Sequence, residues 1–268
     1  TGVEISWTRP FSFYPRGSLG VGYTIRDIDV QSFAAVDIDP DEEIPPGVSV
    51  DPGTGQAFVP IIEPREDDFP IVHGDVVGDT TIFAPWGPVR GHRYRLYADY
   101  APDPDESGTL TATITGDIRT YIPMTARSGW AFRLWGGKSN GNFPRQFYIG
   151  GFDTIRGFEF RELIGDSAFY GNIELRFPLI DVLAFPPIAF QGIRGRFFFD
   201  VGGAWFSDIQ SFKFWDGDND KLDDAVASFG FGITVRLFGL DLNWDFSQIT
   251  DFEETGDRRT SFWIGQRF

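Results

Sequence analysis

Polar and apolar residues alternate along this chain with a period of two, in segments of about ten residues, and no other feature limits the fold as much. The clearest segment is 225–238. Ala225, Ala227, Phe229, Phe231, Ile233, Val235 and Leu237 fall on one face, and Val226, Ser228, Gly230, Gly232, Thr234 and Arg236 on the other. The next segment repeats the pattern, with Leu240, Leu242, Trp244 and Phe246 opposed to Asp241, Asn243, Asp245 and Ser247. Only Gly239 separates the two, which reads as a tight hairpin. Strands of a soluble sandwich run ~5–6 residues. Paired strands twice that length, with aromatics near both ends of the apolar face, point to a wall that faces lipid. No stretch approaches the ~18 consecutive apolar residues of a membrane-spanning helix. A barrel hides its apolar residues at every second position, so a mean hydropathy of −0.17 is compatible with it.

The same test predicts strands near 2–8, 17–27, 72–84, 91–100, 109–122, 127–137, 167–178, 193–206, 225–238, 239–249 and 259–268. The expected fold class is therefore all-β, an antiparallel transmembrane β-barrel. Connections alternate in length. Those at 9–16, 85–90, 123–126, 179–192 and Gly239 are short; those at 28–71, 101–108, 138–166, 207–224 and 250–258 are long. Outer-membrane barrels turn tightly on the periplasmic side and carry long external loops, so the last strand runs inward and the C-terminus is periplasmic. Eleven strands cannot close an ordinary bacterial barrel, whose strand number is even. An open edge at 2–8 in lipid would leave backbone groups unpaired at high cost. Either 28–71 hides a further strand or residues 1–268 are the C-terminal part of a longer barrel. The second is the expectation.

Several motifs add to the pattern. Gly150-Gly151-Phe152-Asp153-Thr154-Ile155-Arg156-Gly157-Phe158 lies in the long connection 138–166. Asn172-Ile173-Glu174-Leu175-Arg176-Phe177-Pro178 forms the following strand, and Phe198-Phe199-Asp200-Val201-Gly202 the one after it. The chain closes with Phe262-Trp263-Ile264-Gly265-Gln266-Arg267-Phe268. In this order and at these spacings, with five strands after the loop, the set resembles the barrel of the BamA/TamA superfamily, also called the bacterial surface-antigen family. A looser likeness is Asp79-Thr80 with Gly87-Pro88 and Gly91-His92-Arg93. The resemblance implies a barrel of about 16 strands in the outer membrane of a Gram-negative bacterium. It also implies a loop folded into the lumen and a C-terminal insertion signal at Phe262, Ile264, Gly265 and Phe268.

Periodicity by itself places Glu174 and Asp200 on the inward face of adjacent strands. The resemblance implies that the loop brings Arg156 between them as a structural lock of charge-assisted, bidentate hydrogen bonds. The lock then comprises Ile155, Arg156, Gly157, Phe158, Glu174, Phe198, Asp200 and Gly202. Gly157 permits close backbone approach, Gly202 leaves room on the wall, and Phe158 packs against it.

Other chemistry is thinly represented. A net charge of −16 argues against a nucleic-acid partner. Inward charges at Arg93, Arg95, Asp99, Arg119 and Arg133 read as a structural network in the lumen. Asp216, Asp218 and Asp220 mimic the start of a calcium loop, but Lys221 replaces its glycine and Ala227 its terminal glutamate, so no metal site is expected beyond this weak candidate. Gly137-Lys138-Ser139 lacks the leading glycine of a phosphate loop, since Phe132 stands there. His73 and His92 are far apart, and there is no cysteine. No enzymatic activity and no cofactor are expected. The resemblance implies a barrel that assists insertion or translocation of polypeptides. Its partners would be outer-membrane lipid and lipopolysaccharide, client polypeptides and accessory proteins. The alternative is an anchor or export pore for an upstream soluble domain, or a simple porin-like barrel.

Overall fold

A computed structural model describes residues 2–28, 33–36, 49–50, 57–60, 65–103, 108–180, 183–185, 188–190, 192–209, 211–217, 219–237 and 239–265. Eleven long strands form one antiparallel sheet in strict sequence order. They are β1 (Gly2–Pro10), β2 (Pro15–Ile28), β3 (Arg65–Asp79), β4 (Gly87–Pro102), β5 (Thr109–Pro123) and β6 (Gly129–Asn140). After the longest described loop come β7 (Ser167–Ile180), β8 (Ile193–Trp205), β9 (Val226–Leu237), β10 (Leu240–Thr250) and β11 (Thr255–Ile264). A twelfth, three-residue member (Ile82–Ala84) pairs with the start of β4. Each strand pairs with its neighbour in sequence, the topology that tight turns between long alternating segments produce. Among the described residues β1 and β11 are the two ends of this sheet.

The strands differ from the expected spans in instructive ways. The segment expected at 72–84 starts earlier, at Arg65, and breaks after Asp79. There the Thr81 amide donates to Asp79 Oδ1 and the Thr80 amide to the His92 carbonyl, a side-chain turn that competes with the ladder. β11 begins at Thr255 rather than 259, so its connection to β10 shrinks to 251–254. Within 28–71, the short strands Phe33–Val36, Ser49–Val50 and Ala57–Pro60 pair with one another and off the main sheet. The 179–192 connection contains a small hairpin, Leu183–Phe185 with Ile188–Phe190. Gly239 carries the β9–β10 turn at φ +83°, a conformation that costs an L side chain ~1 kcal/mol or more.

Burial along the strands is inverted relative to a soluble protein. On β10, Asp241, Asn243, Asp245 and Ser247 are buried, while Leu240 between them and the turn is exposed. On β7 and β8, Asn172, Glu174, Arg196 and Asp200 are buried, and Ile173 and Phe197 are exposed. Tyr94, Ile118 and Leu134 lie side by side in register across three strands, and all three are exposed. One sheet face is thus a continuous apolar belt, and the other is a polar interior roofed by a loop. In water such a belt would be far larger than a soluble monomer tolerates. In a bilayer it is the required surface. Charges on the polar face pair with one another: Asp117 accepts from Arg119 at 2.7 Å and from Arg133 at 3.0 Å, and Arg95 donates to Asp75 at 3.1 Å. Arg93, Arg119 and Arg133 face one another across three strands, so Asp117 offsets a row of like charges.

A charge placed on the belt tests this directly. Ile118→Arg should destabilise the protein in lipid vesicles by about 2–4 kcal/mol in a denaturant titration, if Ile118 sits near the midplane. A loss under ~0.5 kcal/mol would mean that this face does not contact lipid.

Candidate functional site

The loop between β6 and β7 leaves the sheet at Asn140 and returns at Ser167. Its stem is a short hairpin, Phe147–Ile149 with Leu163–Gly165. Both ends are fastened. Ser139 Oγ accepts from the Arg145 amide at 2.8 Å, and the Asp166 carboxylate accepts from the Ser207 amide at 3.0 Å and the Ser167 hydroxyl at 2.8 Å. Burial pushes the Tyr148 hydroxyl above its ordinary pKa, with Arg161 over the ring opposing it. At the tip, Gly150 and Gly151 take positive φ, and the Gly151 amide donates to the Ile155 carbonyl at 3.1 Å. This curl drives residues 155–158 against the inner wall.

Arg156 is the centre of the contact, with a side chain fully removed from solvent. Its Nε and Nη2 donate to the two oxygens of Asp200, each at 2.7 Å, and Nη1 donates to Glu174 Oε1 at 2.7 Å. Its backbone amide adds a bond to Asp200 Oδ2 at 3.1 Å. Two carboxylates against one guanidinium would leave an uncompensated charge; Arg176 removes it by donating from Nε to Glu174 Oε2 at 2.8 Å. Four charges therefore sum to zero inside the lumen. Asn172 completes the set by donating to Asp200 Oδ1 at 2.8 Å and to the Thr154 carbonyl at 2.6 Å. The Phe198 ring lies 3.5 Å from the Arg156 guanidinium carbon, a stacked cation–π contact.

The glycines and apolar residues of the motif fit around this cluster. A Cβ on Gly202 would collide with the Phe169 carbonyl and stand 2.7 Å from Ile155 Cδ1. Ile155, rather than Phe158, is thus the side chain seated over Gly202. Phe158 is only partly buried and packs on the cluster of Phe147, Ile149, Ile155, Ala168 and Tyr170, the last two being wall residues. Gly157 faces β10, where an added Cβ would come within 3.2 Å of Ile249 and 3.3 Å of Ser247.

A second constellation was not singled out from the sequence. Trp263 on β11 is buried, and its indole N–H donates to Asp245 Oδ2 at 2.8 Å. Asp245 also accepts from Arg196 Nε at 2.9 Å, and Phe152 of the loop stacks on Trp263 with ring centres 5.2 Å apart. A Cβ on Gly232 would collide with both Asp245 and Arg196. The alternation already placed Asp245 and Arg196 inward; nothing in spacing alone announced that the loop tip reaches the final strand. Along β11 only Trp263 is buried. Phe262 and Ile264 point outward, Gly265 donates to the Asp241 carbonyl at 2.9 Å with φ +134°, and Phe268 lies outside the described residues.

The weak cation candidate divides. Asp216 accepts from Asn219 Nδ2 at 2.6 Å, Asp220 has φ +54°, and Asp218 lies outside the described residues. Among the described residues no group of three or more metal-ligating side chains comes together. Of the other inward charges, Arg133 reaches the loop through the Asp153 carbonyl at 3.3 Å, and Asp99 pairs with Arg145 at 3.3 Å.

Set beside known proteins, residues 86–268 match the Omp85 superfamily domain. The chain belongs to the Omp85 superfamily. Superfamily members are outer-membrane barrels broadly concerned with inserting and translocating polypeptides. The crystal structure of BamA from Haemophilus ducreyi lacking POTRA domains 1–3 has a similar fold, with a TM-score of 0.63 at 14% identity. That comparison covers 98% of this chain and 53% of the BamA chain, so this Omp85 chain spans about half the length of its structural relative. No curated protein matches it in sequence.

Removing the guanidinium leaves Asp200 buried without its cation, while Glu174 keeps Arg176. Arg156→Ala should therefore cost about 3–5 kcal/mol, read as a lower melting temperature and loss of heat-modifiable migration. Trp263→Phe keeps the stack on Phe152 but leaves Asp245 Oδ2 short of a donor. A loss of about 1–3 kcal/mol is expected, with faster protease cleavage in 150–162; unchanged cleavage would separate the loop tip from β11.

Proposed function

We propose that residues 1–268 are the C-terminal portion of an outer-membrane barrel of about 16 strands that assists insertion or translocation of polypeptides. The observation that carries this reading is the Arg156 cluster. A loop joined to the wall by three charge-assisted bonds to Asp200 and Glu174 is a lock on the lumen, in a chain that belongs to the Omp85 superfamily. The loop occupies the interior, which disfavours steady diffusion of solutes through it. Among the described residues β11 ends the sheet, and an extended polypeptide adds to such an edge by main-chain hydrogen bonds. The short turns face the periplasm and the long acidic loops face outward, toward lipopolysaccharide. Phe262, Ile264, Gly265 and Phe268 serve as the barrel's own insertion signal. The work is done by binding and conformational change, without a cofactor; periplasmic or outer-membrane accessory proteins and client chains are the partners.

Depletion of the native protein decides the matter. Other β-barrel proteins should fall in abundance in the outer membrane and accumulate as protease-sensitive periplasmic forms, and the Arg156→Ala variant should fail to restore them. Normal levels of other barrels after depletion, with loss of one surface or secreted domain instead, would identify the barrel as an anchor or export pore.

A further inference from the structure

The connection from β8 to β9, at the long-loop end of the sheet, does not rise clear of the wall or bend into the lumen. Its described residues lie on the outward face. Period two puts Phe169, Phe199, Val201 and Gly203 on the same side as the exposed belt residues Ile173 and Phe197. Phe212 of the connection sits on Gly203, where an added Cβ would stand 2.8 Å from its ring. The same ring stacks on Trp205 with centres 4.2 Å apart and meets Phe169 edge-on at 5.6 Å. Further along, Leu222 is buried with Ala225 and Ala227, and Phe199, Val201 and Phe212 pack against the three.

The connection is two-faced. In its short hairpin Trp215 stands opposite Leu222 and Asp216 opposite Lys221, so one side is apolar and the other charged. Several bonds hold it to the wall and to the next connection. The Lys213 amide donates to Asp224 Oδ2 at 2.7 Å, the Leu222 amide to the Asp251 carbonyl at 2.9 Å, and the Lys221 ammonium lies 3.0 Å from Glu253. The 251–254 connection adds a further ring. Phe252 has φ +78°, unfavourable for an aromatic residue, and its ring centre lies 6.1 Å from Phe199 and 5.8 Å from Trp215. After all this packing Phe214, Trp215 and Phe252 still stand roughly half exposed.

We propose that the β8–β9 connection is an apron that enters the outer leaflet and fastens the rim of the barrel to the boundary between acyl chains and headgroups. Its exposed rings continue the lipid-facing belt through Phe169 and Phe199, with which they are in ring contact. Exposed to water, such rings would be a liability; at a membrane interface an aromatic body finds its preferred depth. Lys213 and Lys221 lie beside them, and a lysine stem can follow the apolar surface while its ammonium stays at headgroup level. The apron thus holds the β7–β10 side of the barrel at a fixed depth. The inference rests on the membrane placement proposed above and is independent of the polypeptide-handling role.

The test uses the native protein in dioleoylphosphatidylcholine vesicles, with a fluorophore on one introduced cysteine: F214C on the apron, I173C on the belt or E254C in the exposed acidic rim. Residues 1–268 contain no cysteine, and the unsubstituted protein serves as the blank. Nitroxide-bearing lipid should quench the label at 214 about as strongly as at 173 and at least about threefold more than at 254, and iodide in the water should do the reverse. A label at 214 that follows 254 overturns the proposal. Shielding from both quenchers, with self-quenching that grows with protein density, also overturns it and makes the apron a contact between copies. W215F retains a ring and needs no label: the emission lost relative to the native protein should be emission that brominated phosphatidylcholine quenches, and indifference to bromine counts against the apron. Labels at 173 and 214 both open to iodide would remove the membrane placement itself, so the two failures are distinguishable.

Discussion

One buried ion cluster sets the terms for the rest of the molecule. Arg156 cannot leave water unless its charge and its N–H groups are answered, and the wall answers them with Asp200, Glu174 and a balancing Arg176. The answer comes from two adjacent strands at positions two residues out of register, Asn172 opposite Asp200 and Glu174 opposite Phe198. Any slip of β7 against β8 by one residue would turn Glu174 outward to the belt and leave the guanidinium half-satisfied. The cluster is thus a register check on the sheet as well as a fastening for the loop. It favours specificity more than net stability, because desolvating four charges consumes much of what their attraction returns.

The inverted burial follows from the same two-residue period. Each strand must offer lipid a face of Ile, Leu, Val and aromatic residues, so charges such as Arg133, Glu174, Arg196, Asp200 and Asp245 are directed to the interior. An interior filled with charges is stable only if they are paired there, which is why Asp117, Arg119 and Arg133, or Arg236 and Asp241, form short networks along the wall. The loop extends this logic, since its Asp153 carbonyl, Arg145 and Arg156 each meet an inward charge of opposite need.

Much of this was legible in the sequence. Alternation alone located all eleven long strands and the faces of β7 through β10, because a half-buried strand leaves a period that nothing else imitates. Its failures were local. The break after Asp79 depends on a side-chain turn, the early start of β3 at Arg65 lies in a charged stretch without alternation, and the hairpin at 183–190 has strands too short to carry a period. Within the site, the inward placement of Glu174 and Asp200 could be read, whereas their partner came from resemblance. Ile155 over Gly202 and Phe152 on Trp263 could not be read at all. Contacts between a curled loop and a wall depend on the backbone path of the loop, and a run of glycines at 150, 151 and 157 permits many paths.

The reach of the loop gives the final strand a particular dependence. β11 is bonded to β10 along one edge, and its only buried side chain is Trp263, held by Asp245 and Phe152. Asp245 is in turn held by Arg196, whose strand also carries Asp200. The loop tip, the charge cluster and the terminal strand therefore share partners, and energetic terms that share partners are not independent. Withdrawal of the loop would remove Arg156 from Asp200 and Phe152 from Trp263 together. β11 would then keep its hydrogen-bond ladder to β10 and lose its interior anchor.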